Sequence, residues 1–235
     1  MKLFKAWIEI LYPRHCPVCH DIVVPGGQKI CTSCKEKLKP ITGPRCYKCS
    51  KPLESREQEY CTDCQKPHHF DQGIGIFTYG SVLKESLFRL KYGNRQEYGI
   101  FYGQFAAQYS RKQIEIWNPQ VIIPIPLHKK KLAKRGYNQA ELIASALGKE
   151  LGIKTDTTVL KRKIYTKPQK DLSNRERKKN LEHAFETRGD LPWKRILLVD
   201  DIYTTGATID EAAKILKKAG AEKVWFLTIG IGADT

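Results

Sequence analysis

The stretch Ile196–Thr208, ILLVDDIYTTGAT, carries the residue types best suited to chemistry in this chain. An apolar run ends in Asp200 and Asp201, and Thr204, Thr205, Gly206, Ala207 and Thr208 then lead into a helical pattern. Gly206 lets the backbone come close to a ligand, and the threonine hydroxyls add donors. The following helix presents unpaired N–H groups at the positive end of its dipole, so an anion is favoured there. Two carboxylates beside an anion make sense when they bind hydroxyls or a cation, and a sugar phosphate chelating Mg2+ satisfies both halves. The bland alternative is an N-cap cluster on an ordinary turn.

The second chemical signal is cysteine. All eight cysteines lie between Cys16 and Cys64, as the Cys-x-x-Cys pairs Cys16/Cys19, Cys31/Cys34, Cys46/Cys49 and Cys61/Cys64, repeating every 15 residues. Each such turn points two thiolates at one cation, and two turns complete a tetrahedral S4 site, so four turns supply two structural zinc ions. Disulfides would suit an exported protein, a redox motif needs one pair, and an iron–sulfur cluster does not need the regular spacing. Closed S4 sites leave no open coordination position. Neighbouring pairs or interleaved pairs would both satisfy these spacings. Turn formers such as Pro13, Pro17, Pro25, Pro40 and Pro52 leave few apolar residues for a core, so metal supplies most of the folding energy there.

The elements that must position these groups follow from the rest of the 235 residues. Residues 1–67 read as a small metal-dependent module and residues 68–235 as a domain with its own hydrophobic core. Gly73–Tyr79, Val121–Ile125, Arg195–Val199 and Val224–Ile229 read as strands. Leu83–Tyr92, Gly99–Ile116, Gln139–Leu151 and Thr208–Ala219 read as helices, the first with a basic end. Strands alternating with helices predict an α/β fold with a parallel sheet covered on both faces, and ligands of such folds bind at the carboxyl ends of the strands.

The formal charge is +16, and residues 129–179 hold 16 Lys/Arg against 5 Asp/Glu. An excess of this size attracts polyanions such as nucleic acid, nucleotide phosphates or an anionic membrane face; a solvated basic face is the alternative. No segment approaches the roughly 20 apolar residues that span a bilayer. Leu3–Leu11, LFKAWIEIL, is apolar on one helical face but short, carries Lys5 and Glu9, and precedes no cleavage site. It reads either as packed on the rest of the protein or as a weak peripheral contact with the inner membrane face. The expected location is the reducing cytoplasm, where clustered cysteines more often hold metal.

VDDIYTTGAT resembles the PRPP-binding motif of type I phosphoribosyltransferases. The resemblance implies that Asp200 and Asp201 hold the ribose hydroxyls and that Thr204, Thr205, Gly206, Ala207 and Thr208 hold the 5-phosphate, with Mg2+ accompanying PRPP. Thr204 stands where purine-salvage members carry a carboxylate, which argues against purine salvage, and Tyr203 is bulky enough to crowd the site. The stretches Pro124–Ala144, Gln169–Phe185 and Tyr79–Gly93, together with the cysteine module, resemble the ComF family of competence proteins over nearly the whole chain. Family members often have Pro where Lys129 stands.

By that resemblance the loop from His128 to Asn138 is the pyrophosphate side, with His128, Lys129, Arg135 and Asn138 in it and Arg135 and the lysines facing the diphosphate. Gln169, Arg175, Arg177 and Asn180 belong to a mobile loop over the site. Two functions follow. One is a DNA-uptake factor that binds PRPP and handles single-stranded DNA, with Tyr137 and Tyr165 as a thin stacking platform and a competence DNA translocase or helicase as partner. The other is an active phosphoribosyltransferase with an unidentified acceptor, for which the sequence shows no acceptor pocket.

Overall fold

The computed structural model describes residues 13–163 and 183–233. The segment Leu3–Leu11 and the loop residues Gln169, Arg175, Arg177 and Asn180, as well as Tyr165, lie outside them. After a one-turn helix α1 (Thr32–Lys35) and a 3-10 turn (Thr62–Gln65), the order is β1 (Gly73–Thr78), α2 (Ser81–Tyr92), α3 (Gln96–Trp117), β2 (Val121–Pro124), α4 (Lys129–Arg135) and α5 (Gln139–Leu151). Then come β3 (Leu160–Arg162), β4 (Phe185–Thr187), β5 (Arg195–Tyr203), α6 (Ala207–Lys218) and β6 (Lys223–Ile231). None of the described helices is long and apolar enough to cross a membrane.

Strands β1, β6, β5 and β2 form one parallel sheet in that order, and β3 pairs with β4 as a separate antiparallel hairpin. The apolar runs at Val121–Ile123, Ile196–Val199 and Val224–Ile229 are buried because both faces of the sheet are covered. On one face, Leu197, Val199, Trp225, Leu227 and Ile229 pack against α2, α3 and α5. On the other, Ile196, Leu198, Val224 and Phe226 pack against α6, the hairpin and the cysteines of the second half of the module. Metal-ligand loops thus cover part of a face that helices cover in most such folds. The apolar core therefore runs without a break across the division at residue 67.

Three expectations change. The loop expected from His128 to Asn138 contains a two-turn helix, α4. Leu132 is the one large apolar residue in KKKLAKR, so periodicity hides it, while His128 caps its start and Gly136, at φ +84°, ends it. The hairpin β3–β4 carries too little apolar alternation to announce itself. Strand β5 runs past Val199 through both aspartates to Tyr203, because β6 goes on pairing with it as far as Ile231.

Candidate functional site

The unequal lengths of the strands beside β5 create the site. Strand β2 pairs with β5 up to Pro124, opposite Val199, and one more bond joins the Ile125 N–H to the Val199 carbonyl. Pro126 has no N–H to continue, so β2 turns away before Asp200 and Asp201, which lie at the carboxyl edge of the sheet, where ligands of such folds bind.

The two carboxylates are not equivalent. Asp201 is 4% exposed. It accepts a 3.0 Å hydrogen bond from Gln139 Nε2 and pairs with the ammonium of Lys91, the second-last residue of α2. Burial alone would raise its pKa, but the Lys91 charge and these hydrogen bonds outweigh burial and lower it. Burial likewise works against the charge on Lys91, and Asp201 overcomes it, so the lysine stays protonated. Asp200 is half-buried and accepts from the Asp201 N–H at 2.8 Å. Burial first, then the charge of Asp201, pushes its carboxyl well above the usual range.

Cations gather around this pair. Lys131 is held below the ordinary lysine range by burial and by the charges of Arg162, Arg135 and Lys91. Arg162 at the end of β3 is drawn to Asp200 and lies over the Phe185 ring at 5.4 Å. Arg135 donates to Gln139 Oε1, so Arg135, Gln139 and Asp201 form a chain of hydrogen bonds. Lys91 and Arg162 thus meet the two carboxylates, and Lys131 and Arg135 stand close enough to feel the same cations, so positive charge is in excess here. Lys131 belongs to the basic loop expected on the diphosphate side, Lys91 and Gln139 lie in the family-like stretches Tyr79–Gly93 and Pro124–Ala144 without an assigned role, and Arg162 lies in no motif named above.

Beyond β5 the chain bends through Thr204–Gly206 into α6. Thr204 is exposed, and Thr205, Ala207 and Thr208 are half-buried. Gly206 has φ +76°, and a Cβ there would stand 2.3 Å from the Tyr203 hydroxyl, so both backbone and space require glycine. Tyr203 does not crowd the ligand side as expected. It is 1% exposed, stacks on Phe226 at 4.8 Å and meets Phe70 edge-on at 6.2 Å. Its hydroxyl is pushed up by burial and by the thiolates of Cys49, Cys64 and Cys61. The ring fills the space between the loop and the second cysteine cluster.

On the expected pyrophosphate side, the side chains have distinct tasks. His128 is 6% exposed and its Nδ1 accepts from the Lys130 N–H at 3.2 Å, capping α4; burial and then the neighbouring lysines lower its pKa. Asn138 accepts from the Ala140 N–H at 3.1 Å and donates to the Ile125 carbonyl at 3.0 Å, which fastens the loop to the end of β2. Both groups of its side chain are engaged in holding the loop. Lys129 is exposed, while Tyr137 is half-buried with its hydroxyl donating to the Leu90 carbonyl.

The cysteines gather as neighbours, first pair with second and third with fourth. Cys16, Cys19, Cys31 and Cys34 form one cluster and Cys46, Cys49, Cys61 and Cys64 the other, with sulfurs in each within 4.8 Å. Zinc bonded tetrahedrally at about 2.3 Å sets sulfurs about 3.8 Å apart. The Cys19–Cys31 and Cys49–Cys61 separations of 3.9 and 3.6 Å fit it. Backbone N–H groups of Val18 and Val24 point at Cys16 and Cys31 Sγ at 3.5 and 3.3 Å, as thiolates require.

Comparison with known proteins agrees with this division of labour. Residues 7–65 match the double zinc ribbon domain and residues 103–230 the phosphoribosyl transferase domain. Competence protein ComFC of Bacillus subtilis is 32% identical over 201 residues, 82% of this chain and 80% of that protein. Competence protein F of Haemophilus influenzae is 39% identical over 109 residues; the match takes in 45% of this chain and 48% of that relative's length. The DNA utilization protein YhgH of Salmonella typhimurium is 30% identical over 166 residues, 68% of this chain and 73% of that protein. With a double zinc ribbon packed against a parallel-sheet phosphoribosyl transferase domain, the chain belongs to the ComF family of competence proteins.

Proposed function

We propose that the chain binds PRPP together with Mg2+ at the carboxyl end of β5 and assists the uptake or handling of single-stranded DNA in natural transformation. The excess of positive charge carries the PRPP reading: Lys91 pairs with Asp201, Arg162 is drawn to Asp200, and Lys131 stands among Lys91, Arg135 and Arg162, while α6 begins six residues after Asp201. Asp200 and Asp201 hold the ribose hydroxyls, Thr204–Thr208 the 5-phosphate, and Lys129, Lys131, Arg135 and Arg162 the diphosphate. Asp201 already accepts from Gln139 and Lys91, so Asp200 is the carboxylate that would be left to hold Mg2+. When bound, Mg2+ neutralises phosphate charge.

The relatives' names as competence and DNA utilization proteins, with the basic segment, support the DNA reading. Its proposed place is the cytoplasm, with a DNA translocase or helicase as partner and a peripheral contact with the inner membrane face through the N-terminal segment. Turnover is the second reading. It is favoured by Lys131, Arg135 and Arg162, which are placed to stabilise a departing pyrophosphate.

Calorimetry with PRPP and Mg2+, followed by a pyrophosphate-release assay on the same sample, tests both. Binding weakened at least tenfold in Asp200→Asn supports the site, and absence of binding at millimolar PRPP sinks it. Sustained pyrophosphate release with a candidate base, lost in Asp200→Asn, turns the binder into an enzyme.

A further inference from the structure

The exposed face of α2 carries Phe88 and Tyr92, 55% and 66% exposed, one helical turn apart with ring centroids 5.0 Å from each other. Such exposure is unusual for two large rings on a helix whose other face, with Leu83, Leu87 and Leu90, is almost fully buried. The guanidinium of Arg135 lies 5.1 Å over the Tyr92 ring, which joins this face to α4. Helix α4, KKKLAKR, holds five basic residues and no acid, and its Leu132 is itself 41% exposed. Rings beside a one-signed basic helix suit a ligand that brings flat apolar faces on an anionic backbone. Unpaired nucleobases on a phosphate chain have that chemistry.

The patch also adjoins the paired aspartates. Tyr92 follows Lys91, which pairs with Asp201, and Arg135 reaches Asp201 through Gln139. We infer that Phe88 and Tyr92 are a stacking platform for unpaired bases of single-stranded nucleic acid, whose phosphates run along the lysines of α4 at the rim of the PRPP site. The inference rests on the proposed DNA-handling role and gives it a location: these two rings, rather than Tyr137, receive the bases.

Fluorescence anisotropy with the full chain tests it, using labelled oligo(dT) of about 16 nucleotides and an abasic strand of equal length and charge. The wild type prefers oligo(dT) by tenfold or more. Phe88→Ala/Tyr92→Ala loses about tenfold for oligo(dT), while its affinity for the abasic strand and its salt dependence stay unchanged; Tyr92→Trp retains the preference. Lys129→Ala/Lys134→Ala, by contrast, weakens both strands and flattens the salt dependence. Circular dichroism and zinc content confirm that each variant is folded.

Oligo(dT) binding unchanged in the ring variant overturns the platform and leaves the DNA reading standing. No binding of either strand by the wild type at low salt overturns both. If polyglutamate displaces the wild type from oligo(dT) and the ring variant loses polyglutamate binding equally, the rings serve an acidic peptide, and the platform for bases fails.

Discussion

The two cysteine clusters share one spacing and differ in almost everything around it. The first, Cys16, Cys19, Cys31 and Cys34, gathers a small core of its own with Val23, leaves Ile22 and Val24 53% and 66% exposed, and touches the larger core through Val18 and Ile30. Among the described residues its side-chain polar ties are His20 Nδ1 with the Tyr98 hydroxyl at 3.1 Å, His20 Nε2 with Glu85 at 4.0 Å and Arg95 with His15 at 3.1 Å. The second, Cys46, Cys49, Cys61 and Cys64, is buried throughout and shares one core with Phe70, Tyr203, Phe226 and Ile231. Lys51, 4% exposed, pairs with Asp63 at 2.6 Å beside it. The same ligand pattern thus makes one cluster an appendage and the other a part of the sheet's packing. Neighbours, not ligands, determine how far the loss of a metal spreads.

Replacing one ligand in each cluster gives the largest contrast. Structural zinc contributes about 10–16 kcal/mol to folding in small metal-binding domains. Cys61→Ser should therefore cost several kcal/mol, lower the melting transition of the whole chain and abolish PRPP binding. Cys34→Ser should reduce zinc from two ions to one, leaving PRPP affinity within about twofold. Calorimetric melting with metal analysis decides, and equal melting of the two variants breaks the comparison.

Tyr203 comes next, because it joins the core of the second cluster to the loop at Gly206. Tyr203→Ala should cost about 3–5 kcal/mol in denaturant melts, as a large ring lost from a packed core does, and weaken PRPP binding with it. Tyr203→Phe should be near neutral, since the hydroxyl has no hydrogen-bond partner among the described residues. A full-sized loss in the phenylalanine variant would show that the hydroxyl, and not the ring, makes the connection.

A smaller effect belongs to the clamp between the module's end and α6. His68 stacks on Phe70 at 4.7 Å and lies 3.4 Å from Asp210, while the His69 N–H donates to Asp210 at 2.6 Å. Burial lowers the affinity of His68 for a proton, but Asp210 outweighs it, so its folded pKa stands above the unfolded one. A raised histidine stabilises fully below its unfolded value near 6.5, and that contribution is lost as pH rises through the folded value. His68→Gln should cost about 1.5 kcal/mol at pH 6 and progressively less toward pH 8, read from paired melts. A gap that does not change with pH would reduce the clamp to packing.

The smallest effect is expected at the first cluster. Tyr98→Phe deletes the bond to His20 and should cost about 1 kcal/mol, without changing zinc content or PRPP affinity.

Much of this was legible in the chain, for local reasons. Gly206 between a buried strand and a helix, the paired aspartates and the repeating Cys-x-x-Cys turns are each contained in a few consecutive residues. Lys91, Gln139 and Arg162 were not legible as site residues, because they meet the aspartates only once the sheet order puts β5 beside β2 and brings the ends of α2, β3 and α5 together. The sequence places Asn138 in the diphosphate-side loop, and its capping of α5 appears only with the helix. Nothing in the sequence around Tyr203 reveals that the second cluster stands behind it, so there its bulk reads as an obstruction. The choice between neighbouring and interleaved cysteine pairs likewise depended on packing, since both fit the same spacing.

Cys19 is half-buried, whereas each of its counterparts in the second cluster is 9% exposed or less. A thiolate that solvent can reach is open to protons, chelators and oxidants, and a sealed one exchanges its metal only when the fold opens. Zinc at the first cluster should therefore be lost to a chelator sooner than zinc at the second, whose release waits on an opening of the fold.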